Sequence, residues 1–196
     1  VYAPHFYPIE VHEGLGYSAD NPYLATWERL RSEEAERFVG GALFMGEFGA
    51  NVEEEGANER YFGDVLDMAD RQMAGWAYWA WDKGWWGVRA DDGSDAAHAA
   101  LVVRPYPQAI AGVPESFSYD TETRTFRLSY TTREGVRGPT EVYLATGRHF
   151  PDGFEVSVTG NAEWSLDEDA EVLLVDAPND AGSIRVCVTP KGVACS

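Results

Sequence analysis

Two hydrophobic rhythms divide the chain near residue 112. Before that point, short continuous apolar runs alternate with longer stretches whose apolar residues recur at helical spacing. Val1-Tyr2-Ala3-Pro4-His5-Phe6-Tyr7 reads as the end of a strand. It breaks at Pro8 into an irregular loop that holds Glu10, His12 and Glu13 and reads as solvated, with contact between His12 and a substrate as the alternative. Asn21-Pro22 then opens a helix, with Asn as the cap and Pro in the first helical position. Leu24, Trp27, Leu30 and Phe38 give that helix its apolar stripe. A second strand covers 41–50, followed by an acidic loop at 51–56 that reads as solvated charge. Tyr61, Val65, Leu66, Ala69 and Met73 mark the next helix, and Gly75 to Asp82 reads as a third buried strand. The loop 83–87 and a helix around 95–103 follow. Strands and helices in this alternation predict parallel strands joined by helical crossovers. Three such strands alone leave bare sheet edges.

Beyond Gly112-Val113-Pro114 the segments 116–119, 125–131, 140–145, 154–159, 170–175 and 183–188 are short and rich in Val, Thr, Tyr and Phe. Turn signals such as Pro151-Asp152-Gly153 separate them, a pattern that reads as an antiparallel sandwich. The expected fold class is therefore α/β plus all-β. Residues 1–112 form the α/β part and residues 113–196 the sandwich.

One stretch concentrates the chemistry. In Gly41-Ala42-Leu43-Phe44-Met45-Gly46-Glu47-Phe48-Gly49-Ala50, an apolar run leads straight into a carboxylate flanked by glycines. Gly46 and Gly49 remove side-chain bulk, so backbone or ligand can approach closely. A carboxylate at the end of a buried strand is costly unless it has partners or a task. In barrels of parallel strands, that end is where catalytic groups stand. The rival reading has Glu47 pairing with an arginine or capping the next loop.

Charge and composition narrow the partners. The formal net charge is −18, which argues against nucleic acid, whose phosphates need a positive surface. It also argues against docking onto anionic membrane by charge. No run approaches the ~18 apolar residues of a membrane span. Seven Trp and ten Tyr are a heavy aromatic load, suited to holding sugars or lipids. Cys187 and Cys195, close together with Pro190 and Gly192 between them, suggest a local disulfide and an oxidising, secreted setting. Their spacing does not suit zinc, so no metal site is expected.

The three strand ends present His5 and Tyr7, then Glu47, then Trp79. These types suit glycoside cleavage: a carboxylate to attack the anomeric carbon, a tyrosine to hold it ionised, a histidine to orient it, and a flat ring as sugar platform. The order Pro4-His5-Phe6-Tyr7, Gly46-Glu47-Phe48-Gly49 and Tyr78-Trp79-Ala80-Trp81-Asp82 resembles the last three strands of the (β/α)8 TIM barrel of glycoside hydrolase family 5. The continuation Arg104-Pro105-Tyr106-Pro107, running into a small sandwich, resembles the endoglycoceramidase branch in particular. The resemblance implies a retaining mechanism without cofactor. It makes Glu47 the nucleophile, with Tyr7 and His5 as its supporting pair. Trp79, with Trp85 or Trp86, contacts substrate, while Trp76 and Trp81 are less favoured as the platform. His98 and His149 read as ordinary surface or satisfied residues.

The sequence departs from the family at the acid/base glutamate. That residue belongs to an Asn-Glu-Pro motif on the fourth barrel strand, and the chain has no such motif; Asn58-Glu59 is followed by Arg60. The resemblance therefore implies that the N-terminal half of the enzyme supplies it, either upstream or as a separate cleaved chain. The expected activity is cleavage between oligosaccharide and ceramide in glycosphingolipids, by a secreted enzyme that visits membrane surfaces. The alternatives are a glucosylceramidase or other family 5 β-glycosidase, and a glycolipid- or carbohydrate-binding protein without turnover.

Overall fold

The computed structural model describes residues 1–40, 42–50 and 57–195, so the acidic stretch 51–56 lies outside the described residues. The chain forms two compact units, Val1–Val102 and Val103–Ser196. Residues 103–112, which the sequence pattern groups with the first domain, fall in the second.

The first unit contains β1 (His5–Phe6), α1 (Ile9–His12), α2 (Tyr23–Val39), β2 (Phe44–Phe48), α3 (Ala57–Arg71), β3 (Gly75–Tyr78) and α4 (Ala99–Val102). Its three strands form a sheet in the order β1-β2-β3, parallel at both pairings. The β1–β2 register sets His5 opposite Glu47 and Phe6 opposite Phe48. Phe6, Met45 and Phe48 meet Tyr61, Phe62, Val65, Leu66 and Ala69 of α3 in a continuous buried core. Each such side chain contributes roughly 1.5–3 kcal/mol of burial free energy, so this core is what ties the strand ends together.

Several local expectations change. The segment after Pro8 coils into α1 instead of staying irregular. Helix α2 begins one residue later than expected: Asn21 does cap, its Oδ1 accepting the Tyr23 N–H at 3.1 Å, but Pro22 precedes the first helical residue. Phe38 is 65% exposed rather than part of the stripe, its ring lying under the Arg37 guanidinium. Met73 lies beyond the end of α3 at φ 48 and is also exposed. Strand β3 stops at Tyr78, so Trp79 to Asp82 belong to the following loop. Among the described residues, no helix is long and apolar enough to cross a membrane.

The second unit contains β4 (Tyr106–Ala109), β5 (Gly112–Asp120), β6 (Thr125–Thr132), β7 (Thr140–Tyr143), α5 (Thr146–His149), β8 (Phe154–Thr159), β9 (Glu163–Asp167), β10 (Val172–Asp176) and β11 (Ser183–Pro190). They form two antiparallel sheets, ordered β4-β7-β10-β9 and β5-β6-β11-β8. Alternate residues of both sheets, among them Phe126, Leu128, Val142, Leu173 and Val186, fill the shared core. The strands β4 and β9 escape the sequence pattern because both are edges. Pro107 interrupts the first, and the second is acidic and almost wholly exposed. Cys187 on β11 is bridged to Cys195.

A buried histidine holds the start of this unit. His149 is 7% exposed, with Nδ1 2.8 Å from Tyr119 Oη and Nε2 2.6 Å from the Val103 carbonyl oxygen. A carbonyl only accepts, so Nε2 carries the proton and the Tyr119 hydroxyl donates to Nδ1. Burial lowers the imidazole pKa below its usual value, and the charges of Arg148, Arg104 and Arg124 push the same way. The unfolded chain takes up this proton near pH ~6.5, so the stabilisation is complete above that pH and declines below it. The gap in melting temperature between the wild type and His149→Gln should therefore narrow as the pH falls from about 7.5 to about 5.5. A gap that stays constant would show that the neutral imidazole is not the stabilising species.

Candidate active site

Glu47 stands one residue before the end of β2, with its side chain 28% accessible. Two features of local sequence place it there. The β1–β2 register brings β1 alongside, and the glycines on either side allow contacts that no other residue would. A Cβ on Gly46 would come within 2.6 Å of the Ala3 carbonyl oxygen, and one on Gly49 within 2.5 Å of that of Trp79. The backbone is knitted here by Gly46 N–H to Pro4 O at 2.9 Å and Trp79 N–H to Phe48 O at 2.8 Å. The Trp79–Ala80 peptide is cis.

Tyr7 donates its hydroxyl to Glu47 Oε1 at 2.8 Å, and His5 Nδ1 lies 3.7 Å from the same oxygen. The His5 carbonyl is itself fixed by Trp27 Nε1 at 2.9 Å. Burial, and then the bond to Glu47, raise the Tyr7 hydroxyl well above its usual pKa, so it remains a proton donor at any working pH. Among the described residues, the groups beside the Glu47 carboxylate are Tyr7 and His5, not the arginine of the rival reading.

These groups open into a cleft of about 500 Å³ lined by His5, Tyr7, His12, Glu47, Trp79 and Trp86. That volume is in the ordinary range for small-ligand sites. Trp86 packs edge-on to Tyr7 with ring centroids 5.8 Å apart, and lies 6.4 Å from His12. The wall is thus largely aromatic, with one carboxylate among its residues. The cleft therefore offers a flat apolar face beside a single polarised anion.

The sequence-based candidates divide. His5, Tyr7, Glu47, Trp79 and Trp86 come together. Trp85 is 64% exposed and is not among the lining residues. Trp76 packs against the core, edge-on to Phe48 at 5.7 Å, and Trp81 is exposed with Arg89 over its ring. Asp82 turns to the backbone of Lys83, 2.7 Å away. His12, placed by pattern in a solvated loop, lines the cleft instead. Its signal was faint: a lone histidine that only the α1 turn brings back toward Tyr7. Among the described residues, no three His, Cys, Asp or Glu side chains cluster as a metal site.

Comparison with known proteins bears on the fold and the family. Residues 104–188 match the family model described as glycoside hydrolase family 5 C-terminal domain. Endoglycoceramidase I of Rhodococcus hoagii is 32% identical over 131 residues, 67% of this chain and 25% of that protein. A ganglioside GM3 complex of endo-glycoceramidase II from Rhodococcus sp. superposes with a TM-score of 0.84 at 27% identity, covering 97% of this chain and 42% of that one. A structure of the same Rhodococcus protein described as a lactosyl-enzyme intermediate gives 0.79 at 28% identity, covering 98% and 42%. This chain thus spans a quarter of the curated relative and under half of the solved chains. By sequence and fold it is similar to the endoglycoceramidases of glycoside hydrolase family 5.

The glycine contacts make a direct prediction. Gly49→Ala should lose about 1–3 kcal/mol in chemical unfolding through overpacking against the Trp79 backbone. Gly63→Ala, whose added Cβ meets nothing within 4 Å on α3, should instead gain about 0.5–1 kcal/mol. Equal effects at the two sites would mean that the close approach at Gly49 is not a constraint.

Proposed function

We propose that this chain carries the nucleophile half of a retaining β-glycosidase that cleaves the bond between oligosaccharide and ceramide in glycosphingolipids. In this reading, the α/β unit is the last three βα units of a (β/α)8 barrel. The observation that carries it is the Tyr7 hydroxyl donating to Glu47 Oε1 at 2.8 Å inside an aromatic-walled cleft. A hydrogen bond of this kind orients the carboxylate and fixes which of its oxygens faces the tyrosine. The likeness to endoglycoceramidases adds the substrate class.

The chemistry follows from the atoms. Tyr7 and His5 both address Oε1, so Oε2 is the oxygen assigned to the attack. It forms a bond to the anomeric carbon as the bond from that carbon to the ceramide oxygen breaks. The leaving oxygen takes a proton from a second carboxyl group. Water then attacks the anomeric carbon, gives its proton back to that group, and releases Glu47. Two carboxyl groups in such enzymes stand roughly 5–5.5 Å apart. Glu47 is the one carboxylate among the described residues lining the cleft; the resemblance to family 5 assigns the acid/base residue to the N-terminal part of the same enzyme, within one polypeptide or as a cleaved companion. Trp79 and Trp86 face the sugar rings, as aromatic faces do. No metal or cofactor is needed for this route. The Cys187–Cys195 bridge supports a secreted enzyme.

A second reading, a glycolipid-binding protein without turnover, draws on that same single carboxylate. Covalent labelling separates the two. An activated 2-deoxy-2-fluoro β-glycoside needs little acid assistance, and peptide mapping should find the sugar on Glu47. Glu47→Gln should take no label and lose turnover by several orders of magnitude, and Tyr7→Phe should lower kcat/KM by about 10²-fold. A folded full-length protein that binds the glycoside but never carries the label would establish the binding reading.

A further inference from the structure

Behind the cleft wall, the Tyr78 hydroxyl joins three pieces of chain. It donates to the Trp86 carbonyl oxygen at 2.9 Å and lies 3.2 Å from His98 Nε2. A phenol has one proton, and the Trp86 carbonyl receives it, so His98 is the donor to the hydroxyl oxygen. His98 is therefore the Nε2–H tautomer, and burial lowers its pKa, which keeps it neutral. The Trp86 carbonyl accepts a second bond from Ala80 N–H at 3.0 Å. Ala80 follows Trp79, whose N–H is held by Phe48. The Trp86 carbonyl that Tyr78 fixes thus also ties down the residue that follows Trp79.

We propose that Tyr78 and His98 are positioning residues: the hydroxyl of Tyr78, oriented by His98, clamps the Trp86 carbonyl and so holds the aromatic wall of the cleft against Tyr7 and Glu47. The inference deepens the glycosidase reading and rests on it for the sugar-facing role of that wall. The plain alternative is that both residues only pack the core. His98 stacks on Phe62 with centroids 5.3 Å apart at 8°, and Tyr78 meets Phe48 edge-on at 5.5 Å. Tyr78→Phe keeps those ring contacts and deletes only the hydroxyl, so it distinguishes the two.

The test uses the full-length protein that contains this chain. In Tyr78→Phe, amide exchange measured by mass spectrometry should quicken about tenfold in peptides covering 80–88 and stay unchanged in α3. KM for an aryl β-glycoside should rise about tenfold with a much smaller change in kcat. Adding Trp86→Ala should cost nothing beyond Trp86→Ala alone, the mark of two residues acting as one. His98→Phe should reproduce the Tyr78→Phe pattern, and His98→Gln, which keeps a donor, should restore part of it. Wild-type exchange at 80–88, additive losses in the double variant, or quickened exchange throughout α2 and α3 would each overturn the proposal. If the wild-type protein lacks glycosidase turnover, the function reading fails, while the exchange arm still decides whether the clamp exists.

Discussion

The site depends on one part-buried carboxylate finding a hydrogen-bond donor among aromatic rings. Burying polar oxygens is costly unless donors replace the lost solvent. Tyr7 is that donor for Glu47, and its position follows from the β1–β2 register, which sets His5 and Glu47 side by side. The register is in turn fixed by the core beneath it. Phe6 and Phe48, directly opposed, are both fully buried against α3. A slip of one residue would send those two rings outward and His5 and Glu47 inward, so packing and chemistry enforce the same alignment.

This coupling explains which parts of the site were legible in the sequence. Glu47 was visible because a lone acid at the end of an apolar run, with glycine on both sides, has few cheap explanations. His5 and Tyr7 were visible because alternate residues of a strand share a face. His12 was not, because only the coiling of α1 after Pro8 brings it back over the cleft. Adjacent Trp85 and Trp86 could not be separated by pattern. Which ring turns inward is decided by bonds to the Trp86 carbonyl from Tyr78 and Ala80, and no local rule reports those. His98 looked ordinary for the same reason: its partner is twenty residues away in sequence.

The fold shows the same division. Elements whose burial is periodic were readable, as in α3 and in the alternation of β6 and β11. Elements held by pairing rather than by burial were not. Edge strands β4 and β9 present mostly polar or proline-bearing sequence, and the hydrogen bonds of β7 and β10 make them strands. Phe38 and Met73 went the other way: their spacing suits a buried face, yet both sit where a helix is ending and the core has run out.

The cleft has one carboxylate and two tryptophans, in a chain whose net charge is −18. Such a site offers no lysine or arginine to an anionic ligand, and a neutral one must be recognised through shape, ring faces and a few directed bonds. A neutral sugar meets that requirement, since its C–H faces suit aromatic rings and its hydroxyls need only local partners. It also imposes a demand for rigidity, because ring stacking falls off steeply with displacement. Backbone clamps behind the tryptophans, glycines too crowded for any side chain, and a tyrosine whose hydroxyl cannot ionise in use all meet that demand. Helix α3 supplies the support beneath: residues from Tyr61 to Ala69 bury every apolar side chain they carry, and Phe6 and Phe48 of the strand ends pack into the same core.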